Sequence, residues 1–150
     1  MNNYAFGFSL LGLLFYALQL LPNIIWMVKP PANNVLTQNS SPYKILNITE
    51  QGCGILTVAL LILLVNKSGE GTPIFYLVLA ILFLLGYYIA WVFYYKGVVH
   101  PWLLIIGIAA MPPLYFISVG LWLNNLIALI PCVIFGIAHI VITCSTYLKS

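Results

Sequence analysis

The sequence predicts an all-α integral membrane protein, a five-transmembrane-helix bundle with its N-terminus outside and its C-terminus inside, forming one domain over residues 1–150. Three observations predict it. Of the 150 residues, 63% are hydrophobic and 5% are charged, whereas a soluble domain carries roughly 25% charged residues to keep its surface wet. The apolar residues gather into five runs, each near the ~20 residues that a ~30 Å hydrocarbon core demands at a 1.5 Å rise. Finally, the lysines stand between the runs and mostly on one side, which is the pattern that sets membrane orientation.

The runs are Ala5–Val28, Ile45–Val65, Pro73–Tyr95, Trp102–Leu123 and Leu126–Tyr147. The first has no basic residue before it and exceeds the ~7–15 residues of a signal-peptide core, so it is expected to remain as a helix. Turn chemistry separates the runs: Lys29-Pro30-Pro31-Ala32-Asn33-Asn34, then Asn66-Lys67-Ser68-Gly69-Glu70-Gly71, then Lys96-Gly97 with His100-Pro101, then Asn124-Asn125. The second run is the weakest, because Asn47, Thr49, Glu50 and Gln51 interrupt its start, and a four-helix bundle with a re-entrant second segment stays open. With five crossings, Lys29, Lys44, Lys96 and Lys149 share one side, and Lys67 stands on the other beside Glu70. Asn39-Ser40-Ser41 and Asn47-Ile48-Thr49 match the glycosylation sequon, but this topology puts them on the inner side and short motifs recur by chance. Tyr94, Tyr95, Trp102 and Trp122 near span ends fit interfacial aromatic belts.

Composition also removes whole classes of function. The acidic residues are Glu50 and Glu70, and arginine and aspartate are missing, so paired-carboxylate mechanisms and arginine clamps are excluded. The net charge of +3 comes from dispersed lysines, which argues against a nucleic-acid partner. Cys53, Cys132 and Cys144 are odd in number, lack CxxC spacing and sit inside spans, so neither a disulfide framework nor a zinc site is expected. No cofactor and no metal are implied.

Within a bilayer, helices gain nothing hydrophobically by associating, so small and polar residues mark the faces that pack or line a cavity. Ser9, Gly12, Tyr16, Gln19 and Asn23 form such a stripe on the first helix at alternating steps of three and four. Asn47, Glu50, Gly54 and Thr57 repeat it on the second, and Cys132, Gly136, His139, Thr143 and Thr146 on the fifth. The third helix offers Phe83, Tyr87, Ala90 and Tyr94, and the fourth Gly107 and a kink at Met111-Pro112-Pro113 that would free carbonyls near Ile108 and Ala109. Ranked by depth, Asn23, Glu50, Gln51, Trp91 and Thr143 lie roughly 5–8 Å inside the inner boundary, and Gln19, Gly54, Tyr87 and His139 about one turn deeper. These groups predict a polar cavity or network in the inner half of the bundle, roofed by the first loop.

Glu50 is the single acidic residue inside a span, and an acidic side chain at a helix centre costs roughly 2.5–3.5 kcal/mol on insertion scales. Two readings stay open. It is a counter-ion, proton carrier or general acid or base, or it sits in the first turn of its helix as part of an Asn47-Ile48-Thr49-Glu50 cap with Lys44 or Lys29 nearby. His139 is read as a neutral histidine bonded to Tyr87, Gln19 or a carbonyl, or as a ligand or proton relay. His100 lies too far along the membrane normal to share a haem with it, and Ser9 and Ser118 have no histidine spaced to activate them.

Several of these residues fall into a pattern. Leu21-Pro22-Asn23 with Trp26, Pro30-Pro31, Glu50 opening the second helix, Pro113-Leu114-Tyr115-Phe116, Trp122 and Phe135-Gly136-Ile137-Ala138-His139-Ile140 resemble a family of small, uncharacterised bacterial multi-pass membrane proteins, over nearly the whole chain. The family pattern places a basic residue within a turn after the glutamate, where this chain has Gln51, Gly52, Cys53 and Gly54. The resemblance implies a bacterial inner-membrane location and no activity. The residues themselves lead to a protein that binds, and in an extended form of the same reading transports, a small amphipathic or hydrophobic molecule in a cytoplasm-facing cavity among membrane lipids. Gln19, Asn23, Glu50, Tyr87, Trp91, Tyr94, His139 and Thr143 are the expected ligand-binding residues. An intramembrane lipid-modifying enzyme using Glu50 and His139 as acid and base, and a structural or regulatory subunit whose stripes only glue helices, are the rivals.

Overall fold

The computed structural model describes residues 4–68 and 72–148, so Glu70, Gly71 and Lys149 of the topology argument lie outside the described residues. The helices are α1 (Leu10–Val28), α2 (Lys44–Leu63), α3 (Ile74–Tyr95), α4 (Met111–Trp122) and α5 (Leu126–Tyr147). A π-helical stretch, Leu103–Ala110, runs directly into α4, and together they make the fourth of five helices long and apolar enough to cross a membrane. The chain is thus a multi-pass transmembrane helical protein. One 3-10 turn, Val35–Gln38, sits in the first loop.

The second span is settled by α2, whose 20 residues are helical throughout. At 1.5 Å per residue they reach about 30 Å, long enough for a full crossing. The polar start that argued for re-entry is accounted for locally: Asn47 accepts from Ser41 N at 2.9 Å and donates to Ser41 O at 2.7 Å, tying the helix to the loop before it.

Two expected boundaries are corrected. The first run does not begin as helix, because Tyr4–Phe6 is a short strand, β1, paired antiparallel with β2, Leu64–Asn66, at the end of the second run. The pairing continues as Gly7 N to Leu63 O at 3.0 Å and Ser9 N to Ile62 O at 2.7 Å. Extended backbone at membrane depth must have its N–H and C=O groups paired, and two ends that fall beside each other satisfy one another. Helix α1 starts only where Ser9 Oγ can accept from Gly12 N, at 3.0 Å.

The π-helix places the distortion of the fourth span upstream of its prolines. Pro112 falls in the first turn of α4, directly after the π turns, so the backbone passes from π to α pairing where the proline N–H is missing. The wider π turns before it give the proline rings room that the carbonyls four residues earlier would otherwise occupy.

This fourth span is the centre of the bundle. Its most apolar stretch is 67% buried, against 39% for α5 and 11% for α2. It packs on α3 and α5, while α2 lies along α5. Close approaches are made at small residues: a Cβ on Gly136 would sit 2.8 Å from Pro113 Cβ, and one on Gly12 only 2.1 Å from Leu61 O. Outward faces are hydrocarbon, as at Leu14, Ile25, Ile55, Leu82 and Ile137. Two of the four aromatic residues read as interfacial turn inward instead: Tyr94 is fully buried, and Trp122 packs edge-on against Phe15 at 5.5 Å, whereas Trp102 remains exposed.

The end opposite the first loop is closed by asparagines. Asn125 Nδ2 donates to Leu60 O at 2.8 Å and to Leu64 O at 2.9 Å, and its Oδ1 accepts from Ala128 N at 3.3 Å, capping α5. Asn124, in the left-handed conformation at φ 52°, offers its carbonyl to Asn66 Nδ2 at 2.8 Å and to the Tyr4 hydroxyl at 3.3 Å. Replacing Asn125 with Ala strands the Leu64 carbonyl, removes a second bond from Leu60 O, which keeps the Leu64 N–H, and uncaps α5, so we expect a loss of about 1–3 kcal/mol, read as a lower midpoint of thermal unfolding in detergent.

Candidate functional site: a polar cavity under the first loop

The site forms where all five spans and the first loop meet. Gln19 and Asn23 project from the last half of α1 toward Tyr87 of α3, whose hydroxyl accepts from Asn23 Nδ2 at 2.9 Å and Gln19 Nε2 at 3.5 Å. Glu50 of α2 meets His139 of α5 directly, Oε1 against Nδ1. Phe135, one turn before His139, stacks on its imidazole at 5.3 Å. These side chains enclose a cavity of about 310 Å³ whose wall also includes Trp91, Thr143, Trp26, Asn39 and Pro112.

Seven of the eight residues expected from the sequence therefore stand around one space: Gln19, Asn23, Glu50, Tyr87, Trp91, His139 and Thr143. Tyr94 does not. Its hydroxyl accepts from Leu36 N at 3.3 Å and donates to Asn34 Oδ1 at 3.2 Å, so it anchors the loop above the cavity. Trp26 Nε1 donates to the same Asn34 oxygen at 2.8 Å, Tyr147 holds Val35 O at 2.9 Å, and Asn39 Nδ2 donates to Thr143 Oγ1 at 3.1 Å. The loop is a fixed roof, with Leu36 and Asn39 on its underside. Gln51, ranked at the same depth as Glu50, is exposed on the outer face of α2 and has no part in the wall.

The first-turn reading of Glu50 is corrected, because α2 begins at Lys44 and no acidic residue stands in its first turn. Among the described residues, neither Lys29 nor Lys44 pairs with it, and the ion-pair partner is His139. An ionised Glu50 accepts from Nδ1–H and so fixes the imidazole tautomer, leaving Nε2 as an acceptor or, on protonation, a second donor. Both side chains are about one-fifth exposed. Among the described residues, no third His, Cys, Asp or Glu joins the pair to complete a metal-binding group.

Trp26 and Asn39 were missed as wall residues. Trp26 continues the α1 stripe by one more step of three after Asn23, a signal present in the sequence. Asn39 had none, since its place depends on how the loop folds back. Among the described residues, two buried side-chain atoms find no hydrogen-bond partner, and both belong to the wall: Asn39 Oδ1, an acceptor, and Trp91 Nε1, a donor that lies near the Tyr87 hydroxyl without completing a hydrogen bond.

Tyrosine hydroxyls hold α1 in place. Pro22 lacks an N–H, so the carbonyl of Leu18 loses its intrahelical donor, and Tyr88 supplies one at 2.5 Å. Tyr115 donates to Phe15 O at 2.8 Å and Tyr95 to Lys29 O at 3.1 Å. Comparison with models of known families, with curated proteins and with solved structures gives no match. The class of this chain rests on its fold and composition.

Tyr88→Phe leaves Leu18 O without its side-chain donor. We expect a loss of about 1 kcal/mol, seen as earlier thermal unfolding in detergent, whereas Tyr76→Phe, at the opposite end of α3, leaves the midpoint unchanged.

Proposed function

We propose that this chain binds a small amphipathic molecule, polar head inward, in the cavity beneath the first loop, and that this end of the bundle faces the cytoplasm of a bacterial inner membrane. The observation that carries the reading is the pair of unpartnered wall atoms, Asn39 Oδ1 and Trp91 Nε1. A buried donor or acceptor left unpaired costs about 1–3 kcal/mol, and a ligand offering both roles removes that cost. The aromatic faces of Trp26, Tyr87 and Trp91 suit an apolar body or a cation. Lys29, Lys44 and Lys96 flank the ends of α1, α2 and α3 on this side, and Lys67 follows β2 on the other, which supports the orientation. Passage across the bilayer would require the far half to open, and there Leu61, Tyr115, Phe116 and Val119 pack into a continuous core. Binding is therefore the reading we adopt.

The contact between Glu50 and His139 favours a second reading, an enzyme acting on lipid, because acid–base work by this pair needs the two within hydrogen-bond reach. In that reading Glu50 orients the ring and Nε2 exchanges the proton.

Trp91→Phe separates the possibilities. It removes the unpaired donor but keeps an aromatic wall, so a panel of alkyl amphiphiles followed by native mass spectrometry should show about tenfold weaker retention with an unchanged or higher unfolding midpoint. Undiminished retention together with a lower midpoint would mean that the polar network is only helix glue. Glu50→Gln should alter the affinity with which the amphiphiles are retained; loss of a measurable lipid turnover would instead establish the enzyme.

A further inference from the structure

The cavity does not end at its polar wall. Between α1 and α2 runs an apolar groove of about 400 Å³, bordered by Tyr16, Ile55, Val58 and Ala59 and floored by Phe116. Gln19 and Phe135 line both spaces, so the groove and the cavity are separated by two side chains. Its rim faces the surroundings of the bundle, with Ile55 72% exposed. Among the described residues no side-chain hydrogen bond joins α1 to α2, and the two helices meet closely near the strand pair, at Gly12 and Leu61.

The groove on the other flank of α1, between α1 and α3, is a poorer route. It touches the cavity at Trp91, and the line between the two is bridged by Tyr88 on Leu18 O and by Asn23 on the Tyr87 hydroxyl.

The wall also selects a head group. It carries no lysine or arginine, and its one carboxyl is Glu50. Asn23 Nδ2 is committed to the Tyr87 hydroxyl and to Gln19 O, Gln19 Nε2 also donates to Tyr87, and Asn39 Oδ1 is an acceptor without a donor. Acceptors beside the Glu50 carboxyl, with Trp91 Nε1 as an unpartnered donor, call for a head that donates more hydrogen bonds than it accepts and disfavour one that carries negative charge.

Resting on the binding reading above, we propose that the ligand is a single-chain lipid with a hydroxyl-bearing or amine head, taken sideways from the membrane, its chain lying in the α1–α2 groove and its head in the cavity. The acyl chain is the occupant that fits, because the groove is apolar, opens on the outer face of the bundle and adjoins the polar space at Gln19 and Phe135.

The test uses the purified full chain and native mass spectrometry with four probes: a long-chain monoacylglycerol, its short-chain homologue, a long-chain alkylamine and the fatty acid of equal length. The monoacylglycerol and the amine should be retained, and the fatty acid at least about tenfold less. Val58→Trp, which fills the groove without reaching the polar wall, should weaken the long-chain monoacylglycerol by at least about tenfold and leave the short homologue unchanged. Ala59→Phe serves the same purpose if the first variant fails to fold. Equal retention of the fatty acid overturns the head-group assignment, and long-chain retention indifferent to both groove variants overturns the sideways route. If those fail while Trp91→Phe still weakens retention, the cavity remains a binding site reached some other way. If no probe responds to Trp91→Phe, the binding reading itself is lost.

Discussion

Hydrocarbon offers no hydrogen bonds, and this constraint orders the whole molecule. At the strands, at Pro22 and where α2 ends, the backbone departs from regular helix and a partner is found inside the protein. The strand ends pair with each other, the Leu18 carbonyl freed by Pro22 is met by Tyr88, and the carbonyls where α2 gives way to β2 are met by Asn125. Pro113 O, at the start of α4, accepts from the Cys132 thiol at 3.6 Å. Against that background the cavity stands out, because there the protein leaves polar atoms facing space rather than each other.

The same constraint explains the gradient along the membrane normal. Toward the strand pair the interior is Leu61, Tyr115, Phe116 and Val119, with hydroxyls turned onto backbone carbonyls. Toward the first loop the interior becomes Tyr87, Trp91 and Tyr94 with the amides and the Glu50–His139 pair. A loop seated on tyrosine and tryptophan donors closes that end, so the polar groups lie inside the bundle rather than at an open mouth.

Much of this was legible in the sequence where helical periodicity operates. Gln19 and Asn23 on one stripe, and His139 and Thr143 on another, were bound to share a face once their helices formed. Depth ranking then brought Glu50 and His139 within about a turn of each other, although their direct contact spans 89 positions and no local pattern encodes it. The strands were hidden because three residues are too few to display alternation. Asn124-Asn125 reads as a turn, which it is, but nothing local reveals that Asn125 reaches back to Leu60 and Leu64. Tyr94 was misplaced for a related reason: it continues the aromatic row of α3 past the point where the loop, rather than the cavity, lies overhead.

The approach of α1 to α2 at Gly12 has a mechanical consequence. With Leu61 O so close, and backbone bonds at Gly7 and Ser9 just beyond, that end of α1 behaves as a fulcrum. The arm from Gly12 to Asn23 measures about 16 Å at 1.5 Å per residue. A swing of about 10° about the fulcrum therefore carries Asn23 some ~3 Å sideways, comparable to the reach of one hydrogen bond. Small rotations of a single helix are thereby magnified where the polar side chains are, and nearly cancelled where the strands are.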